Sequence, residues 1–368
     1  MKDTAEIGSF AVAHARGDAW GPVAKTCLDA IAEAAAKANF GVLYATEALG
    51  DQLPSILTFL RETTRIPHWL GAVAPGLSAD DSEYREDGAV AVMVGRLPKG
   101  RFSLVPDLED TGIGPGAVIL HANPDSPAVP GLVADLGRDR RIVAGGLISP
   151  AFGPNQIADS LISGAASGLL LGPDIAVVSG MSQGCSPIGR PHTVTGAWQN
   201  VVMSLDGRPA LEVLKDEAGD LIARDLRRAA GYIHVALPVP GGTDHDYLVR
   251  SLVGIDTRQG WLAVGERLDE GQKLMFVHRD GNAARADLDR MLDGVRRDLD
   301  GRPALAAFHI SCIARGHHMF GEMGAETRRV RAALDGVPLI GFFANGEIAG
   351  DRLYSYTGVL TVIAGAKP

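Results

Sequence analysis

An internal repeat is the feature of the sequence that most limits the folds open to this chain. It becomes visible when the chain is compared with itself so that Gly71 falls on Gly341. The positions that are then identical include Gly71 and Gly341, Ala74 and Ala344, Gly76 and Gly346, Tyr84 and Tyr354, Gly88 and Gly358, Val92 and Val362, and Gly95 and Gly365. An apolar segment and an amphipathic segment precede each copy, so the repeat predicts the order strand, helix, strand, glycine turn, strand.

The repeat also predicts a fold class. Segments 40–45 and 53–61 precede the first copy, and segments 304–313 and 326–334 precede the second. A fainter third copy lies within residues 116–171. Each unit would join two strands through a helical crossover and add another by a hairpin-like return. The sequence therefore predicts an α+β fold with two domains, in which layered mixed sheets are built from repeated strand-helix-strand-strand units.

A different pattern occupies residues 175–280. Short apolar runs alternate there with turn signals such as Asp206-Gly207 and Glu270-Gly271, which is typical of a strand-rich segment. A length of 368 residues allows two domains. We therefore expect a boundary near this segment, between residues 1–190 and residues 191–368.

Charge and hydropathy exclude two classes of partner. The 35 basic and 44 acidic side chains give a net charge of −9 without a basic stripe, so we expect no nucleic-acid partner. The least charged stretch, residues 161–189, is interrupted by Gly172-Pro173-Asp174. The segments that remain are too short to span a bilayer, so we expect no membrane partner.

The N-terminal residues and the cysteines indicate the compartment. Residues 1–20 carry charges throughout and lack the apolar core of a signal peptide, so we expect a cytoplasmic protein. Cys27, Cys185 and Cys312 are odd in number and far apart, which predicts reduced thiols rather than a disulfide framework or a zinc site. We expect neither a metal nor a cofactor.

The first candidate site is the polar segment 182–195. It holds Cys185, Arg190, His192 and Thr193 on a chain that also contains two prolines. The planar guanidinium of Arg190 suits a carboxylate bound in bidentate fashion, so these residues are candidate ligand contacts. The alternative is a loop between domains whose polar groups satisfy its own backbone.

The second candidate site follows an apolar strand, where α/β layers commonly place ligand contacts. Cys312 and Arg315 lie there, in segment 311–318. Because a neighbouring cation lowers the pKa of a thiol, Cys312 could act as a thiolate nucleophile. The alternative is a small buried cysteine that fills core space.

The third candidate site is the turn Asn345-Gly346 with the following Glu347. Glu347 could accept hydrogen bonds from a ligand ammonium or pair with Arg315. The alternative is a surface acid beside a turn. Leu77 stands at the matching place in the first copy, so only the second copy has the residues for polar recognition.

The sequence resembles a known family at these clusters. The residues that carry the resemblance are Trp69-Leu70-Gly71 to Gly76, Gly145-Gly146, Gly184 to Gly189, Thr193-Val194-Thr195, Leu205 to Leu211, Ser311 to Arg315, Glu326, and Gly341-Phe342 to Ile348. They resemble the FIST family, a small-ligand sensory module with an N-terminal and a C-terminal FIST domain. The resemblance implies that residues 1–190 and 191–368 form these two domains of an intracellular sensor for ligands such as amino acids. One branch of the family is reported to bind haem and sense nitric oxide.

Our leading prediction is a non-enzymatic sensory and signal-transduction module that binds a small polar ligand. One cation, one anion and several hydroxyls suit a zwitterion, so an amino acid is the expected ligand. The predicted contacts are Cys185, Arg190, His192, Thr193, Cys312, Arg315, Asn345, Gly346 and Glu347. Because little of the chain remains for an output module, we expect a separate signalling partner, such as a kinase or a cyclase, and leave a homo-oligomer open.

Two alternatives remain open from the sequence. One is a cysteine-dependent hydrolase or transferase that uses Cys312 or Cys185, which would need a base and an oxyanion-stabilising site nearby. The other is a haem-based nitric oxide sensor with His192 or His317 as the axial ligand.

Overall fold

A computed structural model describes residues 7–108, 116–138, 142–150, 153–219, 232–239 and 247–367. The predicted third copy of the repeat therefore falls partly outside the described residues, at 139–141 and 151–152. The chain divides into two compact units. The first unit comprises residues 1–183 and 286–368, and the second comprises residues 184–285.

The structure has the following elements among the described residues. The strands are β1 (Phe10–Arg16), β2 (Phe40–Thr46), β3 (His68–Ala74), β4 (Gly76–Ala79), β5 (Ser82–Tyr84), β6 (Ala89–Gly95), β7 (Phe102–Val105), β8 (Ala117–Ala122), β9 (Ile142–Leu147), β10 (Gln156–Ala158), β11 (Ser160–Ile162), β12 (Ala166–Leu171), β13 (Val177–Ser182), β14 (Cys185–Trp198), β15 (Val201–Leu205), β16 (Arg208–Pro209), β17 (Ile233–Pro238), β18 (Tyr247–Asp256), β19 (Trp261–Val264), β20 (Lys273–Arg279), β21 (Ala304–Cys312), β22 (Leu339–Ala344), β23 (Glu347–Ala349), β24 (Arg352–Tyr354) and β25 (Gly358–Ala364). The helices are α1 (Trp20–Ala35), α2 (Leu53–Thr64), α3 (Val129–Arg138), α4 (Ala210–Ala218), α5 (Gly281–Leu299), α6 (His317–Phe320) and α7 (Ala325–Ala333), with a 3-10 helix at Glu47–Gln52.

The first unit contains three mixed sheets that share one plan. The first sheet has the order β1-β6-β2-β3-β10-β11, the second β24-β23-β9-β8-β12-β7, and the third β13-β25-β21-β22-β4-β5. Each sheet is centred on one parallel pair, namely β2 with β3, β8 with β9, and β21 with β22, and its other pairs are antiparallel. The α+β prediction with mixed sheets is confirmed. A duplication of the sequence itself stays a prediction.

Each sheet receives a hairpin from another part of the chain. The hairpin β4–β5 follows the first parallel pair but joins the third sheet, because β4 pairs with β22. In the same way β10 pairs with β3 of the first sheet, and β23 pairs with β9 of the second. The glycine turn after β3 therefore leads into another sheet, and the return to β2 is made later, by β6.

Three close backbone contacts show which positions of the three sheets correspond. In each parallel pair a glycine lies opposite the carbonyl oxygen of its partner, and a Cβ built on it would lie 1.8–2.3 Å from that oxygen. Only glycine can be accommodated at such a distance. The opposed pairs are Leu43 with Gly71, Leu120 with Gly145, and His309 with Gly341.

The sheets have two kinds of buried face. One face of the first sheet packs against α1 and α2 and buries Leu43, while the opposite faces of the sheets contribute to a shared core. Tyr44, His121 and Phe342 meet in that core, where the Tyr44 hydroxyl and His121 Nε2 form a hydrogen bond of 2.9 Å. Burial lowers the pKa of His121 to about 3, so this imidazole is neutral.

The second unit is an antiparallel sheet with the order β14-β20-β17-β18-β19-β15-β16. An additional pairing of β14 with β15 closes the first six of these strands into a ring. Helix α4 contributes Leu211 and Leu214 to the core of this unit. The strand-rich segment predicted from turn signals forms this sheet.

The compact units and the predicted halves divide the chain differently. Strands β21–β25 follow the second unit in sequence but belong to the same unit as β1–β13, because β22 and β23 pair with β4 and β9. The boundary between residues 1–190 and 191–368 therefore does not separate the compact units. As a boundary between two family domains it stays a prediction.

Candidate functional site

The predicted site residues fall into two sets, and each is described within its own unit. Cys312, Arg315, Asn345, Gly346 and Glu347 belong to the first unit, whereas Cys185, Arg190, His192 and Thr193 belong to the second. In the first unit the predicted residues lie at the ends of β21 and β22. This is the expected place, because the carboxyl ends of parallel strands meet at one edge of a sheet.

Arg315 is completely buried, and the protein itself uses all of its hydrogen-bonding capacity. Nε and Nη2 donate to Glu326 Oε1 at 3.0 and 2.6 Å. Nη2 also donates to Ser182 Oγ at 3.0 Å, and Nη1 contacts the carbonyl oxygens of Ser182 and Tyr356 at 3.4 and 3.3 Å. These contacts occupy the five N–H donors that a guanidinium has. A ligand carboxylate can bind Arg315 only if it displaces one of them.

Glu326 supplies the negative charge that compensates the buried guanidinium of Arg315. It lies on α7 with 1% exposure, and its Oε2 accepts a hydrogen bond of 2.9 Å from Ser311 Oγ. Burial is the largest single effect on the pKa of Glu326 and acts to raise it, but the charges of Arg315 and His309 and the hydrogen bonds from Arg315 and Ser311 together lower this pKa. Burial likewise acts to lower the pKa of Arg315, but the charge of Glu326, its hydrogen bond and smaller effects of Cys312 and Glu347 together raise it. The two groups form a buried ion pair, which needs these additional hydrogen bonds to offset desolvation.

Glu347 is a buried carboxyl with one unused oxygen. Its Oε2 accepts hydrogen bonds from the backbone N–H and the hydroxyl of Thr357, at 3.1 and 2.8 Å. Its Oε1 is buried and has no hydrogen-bond partner among the described residues. Burial raises the pKa of Glu347 to about 8, although hydrogen bonds from Thr357, the charge of Arg315 and a weak hydrogen bond from the Cys312 thiol act against this shift. The carboxyl is therefore largely protonated at neutral pH.

Cys312 lies beside Glu347 in a setting that disfavours a thiolate. The side chain is buried, and both burial and the charge of Glu347 raise the pKa of the thiol. Arg315 acts in the opposite direction, as the sequence suggested, but its effect is smaller. A nucleophilic cysteine needs the thiolate, so this environment favours a structural thiol.

The loop after β21 is held from outside by Arg85. Its Nη1 and Nη2 donate to the carbonyl oxygens of Ile313 and Arg315 at 2.8 and 2.9 Å, and its guanidinium lies 3.8 Å from the centre of the Phe343 ring. The loop is thus held by Arg85 through its backbone and by Glu326 through the side chain of Arg315.

The residues of the turn after β22 differ in their exposure to solvent. Gly346 is buried, and its carbonyl oxygen accepts a hydrogen bond from the backbone N–H of Leu147. Asn345 is exposed, while Glu347 is buried. The alternative of a surface acid at Glu347 is therefore wrong.

In the second unit, His192 lies between two carboxylates. Nδ1 is 2.8 Å from Asp206 Oδ2, and Nε2 is 3.0 Å from Glu217 Oε1. Asp206 also accepts hydrogen bonds from Arg190 Nη2 at 2.9 Å and from the backbone N–H of Thr193 at 2.8 Å. Because a carboxylate only accepts, both ring nitrogens must donate unless a carboxyl group carries the proton.

This arrangement does not suit His192 as a haem ligand. Neither ring nitrogen can reach an iron without losing a hydrogen bond to Asp206 or Glu217. His317 and His318 are exposed, with ring centres 3.6 Å apart. Within the ranges that the structure describes, no group of three or more His, Cys, Asp or Glu side chains has the arrangement of a metal site. The absence of a cofactor remains an expectation.

The remaining candidates of the second unit have structural partners. Cys185 is buried, and its carbonyl oxygen accepts a hydrogen bond of 2.7 Å from the Tyr247 hydroxyl. The Thr193 hydroxyl accepts one from Lys273 Nζ at 2.7 Å. Arg190 and Thr193 are reachable from solvent, and their role as ligand contacts stays a prediction.

Sequence reasoning missed half of the polar cluster in the first unit. His309 and Ser311 lie on β21, Ser182 ends β13 and Thr357 precedes β25, and strand pairing brings these segments together. Glu326 contributed to the family resemblance but not to the predicted contacts. The signal that could have found these residues is polarity at strand positions that are apolar in the first sheet.

The ion pair Arg315–Glu326 and the carboxyl of Glu347 thus form a buried polar group at the edge of the third sheet. Two models of known families match the chain. The FIST N domain matches residues 39–208, and the FIST C domain matches residues 210–350. The chain belongs to the FIST family, whose domains are sensory domains proposed to bind small ligands.

The chain is also similar to curated mycobacterial proteins. An uncharacterized protein of Mycobacterium tuberculosis strain H37Rv is 32% identical over 359 residues, which covers 87% of this chain and 91% of that protein. An uncharacterized protein of Mycobacterium bovis is 30% identical over 341 residues, with coverages of 84% and 85%. Among the described helices, none combines the length and the apolar character that crossing a membrane requires.

Proposed function

We propose that this protein is a non-enzymatic sensor that binds a small polar ligand with an ammonium group, in the first instance an amino acid. The observation that carries the proposal is the buried Glu347 Oε1, which has no hydrogen-bond partner among the described residues. Buried polar atoms are nearly always satisfied, so an atom that no described residue satisfies is a candidate for a ligand contact. A ligand ammonium would satisfy it.

The chemistry of Glu347 makes such binding selective for cations. A carboxyl with a pKa of about 8 carries a proton near pH 7. An ammonium group stabilises the ionised form, so its binding would expel that proton. A neutral hydroxyl could also meet Oε1, but it would leave the proton in place. Proton release therefore distinguishes an amine from a neutral ligand.

Thermal-shift measurements test the proposal. The panel consists of amino acids, amines that match them without the carboxylate, and acids that match them without the amine. We expect amino acids to raise the melting temperature, amines to raise it less, and E347Q to abolish both effects. Titration calorimetry in two buffers of different ionisation enthalpy should report proton release with amines.

The control is the variant D29N, which changes the exposed pair Lys25–Asp29 and leaves every candidate contact intact. The proposal fails if no amine or amino acid shifts the melting temperature, or if E347Q responds as the wild type does. In this proposal the sensor acts in the cytoplasm through a separate signalling protein, such as a kinase or a cyclase. Arg190, His192 and Thr193 remain candidates for a further ligand contact.

A further inference from the structure

His309 is a buried imidazole without a hydrogen-bond partner. Its exposure is 1%, and neither Nδ1 nor Nε2 is hydrogen-bonded among the described residues. Burial lowers the pKa of His309, with Arg315 acting in the same direction and Glu326 against it. A neutral, unpaired imidazole costs stability, because two polar nitrogens are desolvated without compensation.

The fold does not need a histidine at this position. His309, Leu43 and Leu120 stand at corresponding places in the three sheets, since each lies opposite the glycine that approaches its carbonyl oxygen. Two of the three sheets are built with leucine there. Ser311 likewise corresponds to Ala45 and Ala122. At these two corresponding positions only the third sheet carries polar side chains, and the ion pair lies beside that sheet.

Three polar atoms converge above Gly358. A Cβ on this residue would lie 2.9 Å from Glu326 Oε1, 3.2 Å from His309 Nε2 and 3.3 Å from Ser182 Oγ. His309 Nε2 is 3.7 Å from Glu326 Oε1, which is too long for a hydrogen bond. A small rotation of the Glu326 carboxylate would therefore exchange its partner from Arg315 to His309.

We propose that His309 is the alternative partner of Glu326, which receives this carboxylate when a ligand carboxylate binds Arg315. The inference rests on the proposed function as a sensor of small polar ligands. Arg315 has no free donor among the described residues, and in this proposal the ligand carboxylate takes the place of the other carboxylate, Glu326, on Nε and Nη2. Glu326 then accepts a hydrogen bond from His309 Nε2, and His309 takes up one proton from solvent. The proton added to His309 neutralises the negative charge that the ligand carboxylate brings into the cluster.

The charges around His309 are consistent with this exchange. Within the described part of the chain, the charged groups that act on it are Glu326, from α7, and Arg315, from the loop after β21. The neighbouring strands present the Ser182 hydroxyl from β13 and the backbone of Gly358 from β25. When Glu326 leaves Arg315, its charge is no longer offset and favours the imidazolium.

The exchange can be tested without a ligand. R315M removes the competing cation and so mimics displacement of Glu326. Nitrogen NMR of the imidazole should find His309 neutral at about pH 7 in the wild type and protonated in R315M. The matched control is R315M/E326Q, in which the ring should be neutral again. A neutral ring in R315M, or a protonated one in the control, would overturn the inference.

H309L provides an independent test should R315M fail to fold. It restores the residue of the first two sheets, so we expect a melting temperature at or above that of the wild type. A clear decrease would show that His309 is structural and would sink the inference. In ligand titrations, H309L should weaken the response to carboxylates and spare the response to amines. E347Q should weaken the response to amines and spare the response to carboxylates. The two variants therefore test the ammonium site at Glu347 and the exchange at His309 separately.

Discussion

Arg315 Nη2 lies 2.6 Å from Oε1 of Glu326, and neither side chain exposes more than 1% of its surface. Breaking such a pair leaves one charge buried and unpaired, which costs about 3–5 kcal/mol. We therefore expect E326Q to lower the free energy of unfolding by that amount, measured by denaturant titration. The exposed pair Lys25–Asp29 is the control, and D29N should cost less than about 1 kcal/mol. Equal effects of the two changes would contradict the prediction.

The raised pKa of Glu347 predicts a dependence of stability on pH. The pKa is about 8 in the folded protein and near the ordinary value of about 4.3 in the unfolded chain. Between these values only the folded state holds the proton, so the stabilisation is present at low pH and is lost as the pH rises. The slope is at most about 1.4 kcal/mol per pH unit.

E347Q removes the titrating group and is the control for this dependence. The difference in unfolding free energy between the wild type and E347Q should shrink from about pH 5 to about pH 8. Denaturant titrations at several pH values measure it. A difference that stays constant over this range would show that Glu347 titrates normally.

The corresponding residues Leu77 and Glu347 allow a reciprocal exchange. We expect E347L to unfold at the same or a higher temperature than the wild type and to lose any response to amines. L77E would bury a carboxyl on an apolar core and should cost several kcal/mol, about 2–7 by transfer data. Calorimetric melting of both variants checks the pair. A large loss of stability in E347L would mean that Glu347 serves the fold.

Burial of the cysteines predicts slow alkylation. Cys27, Cys185 and Cys312 are buried, and the pKa values of the Cys27 and Cys312 thiols are raised by burial. Iodoacetamide near pH 7 should therefore modify the native protein slowly and the denatured protein at all three sites. Mass spectrometry follows both reactions. Rapid, selective modification of Cys312 or Cys185 in the native protein would favour the hydrolase or transferase alternative.

Gly358 is predicted to tolerate no side chain. A Cβ there would meet Glu326 Oε1 at 2.9 Å, so G358A should lower the unfolding free energy by about 1–3 kcal/mol. Gly131 in α3 is the control, because its Cβ position is open. G131A should stabilise the helix by about 0.5–1 kcal/mol. Denaturant titration of both variants measures the two changes in unfolding free energy. Changes of the same sign would contradict the crowding at Gly358.

The sequence was sufficient for the fold class and for part of the site. Periodicity and glycine turns predicted the strands and helices around Gly71 and Gly341, and Arg315 and Glu347 do lie at the predicted sheet edge. The destination of β4 could not be predicted, because its partner β22 is distant in sequence and nothing local specifies it. Hairpin-like sequence signals predict a return to the same sheet.

For the same reason, the sequence did not indicate that His309 belongs to the buried polar cluster. At the offset that superimposes Gly71 on Gly341, His309 falls on Asn39, whereas the strand registers show that it corresponds to Leu43, because the two residues lie opposite Gly341 and Gly71. The segments between the paired strands differ in length, so no single offset aligns all of them. Strand pairing was needed to see that a leucine position had become a histidine.

The pairing of β4 with β22 has a consequence for synthesis of the chain. When the first sheet leaves the ribosome, the partner of its neighbouring hairpin has not yet been translated. The edge of hairpin β4–β5 that pairs with β22 therefore stays unpaired until β22, near the end of the chain, has been translated. Unpaired strand edges favour pairing between molecules. We expect fragments that end before β22 to aggregate, and slow translation to lower the yield of native protein.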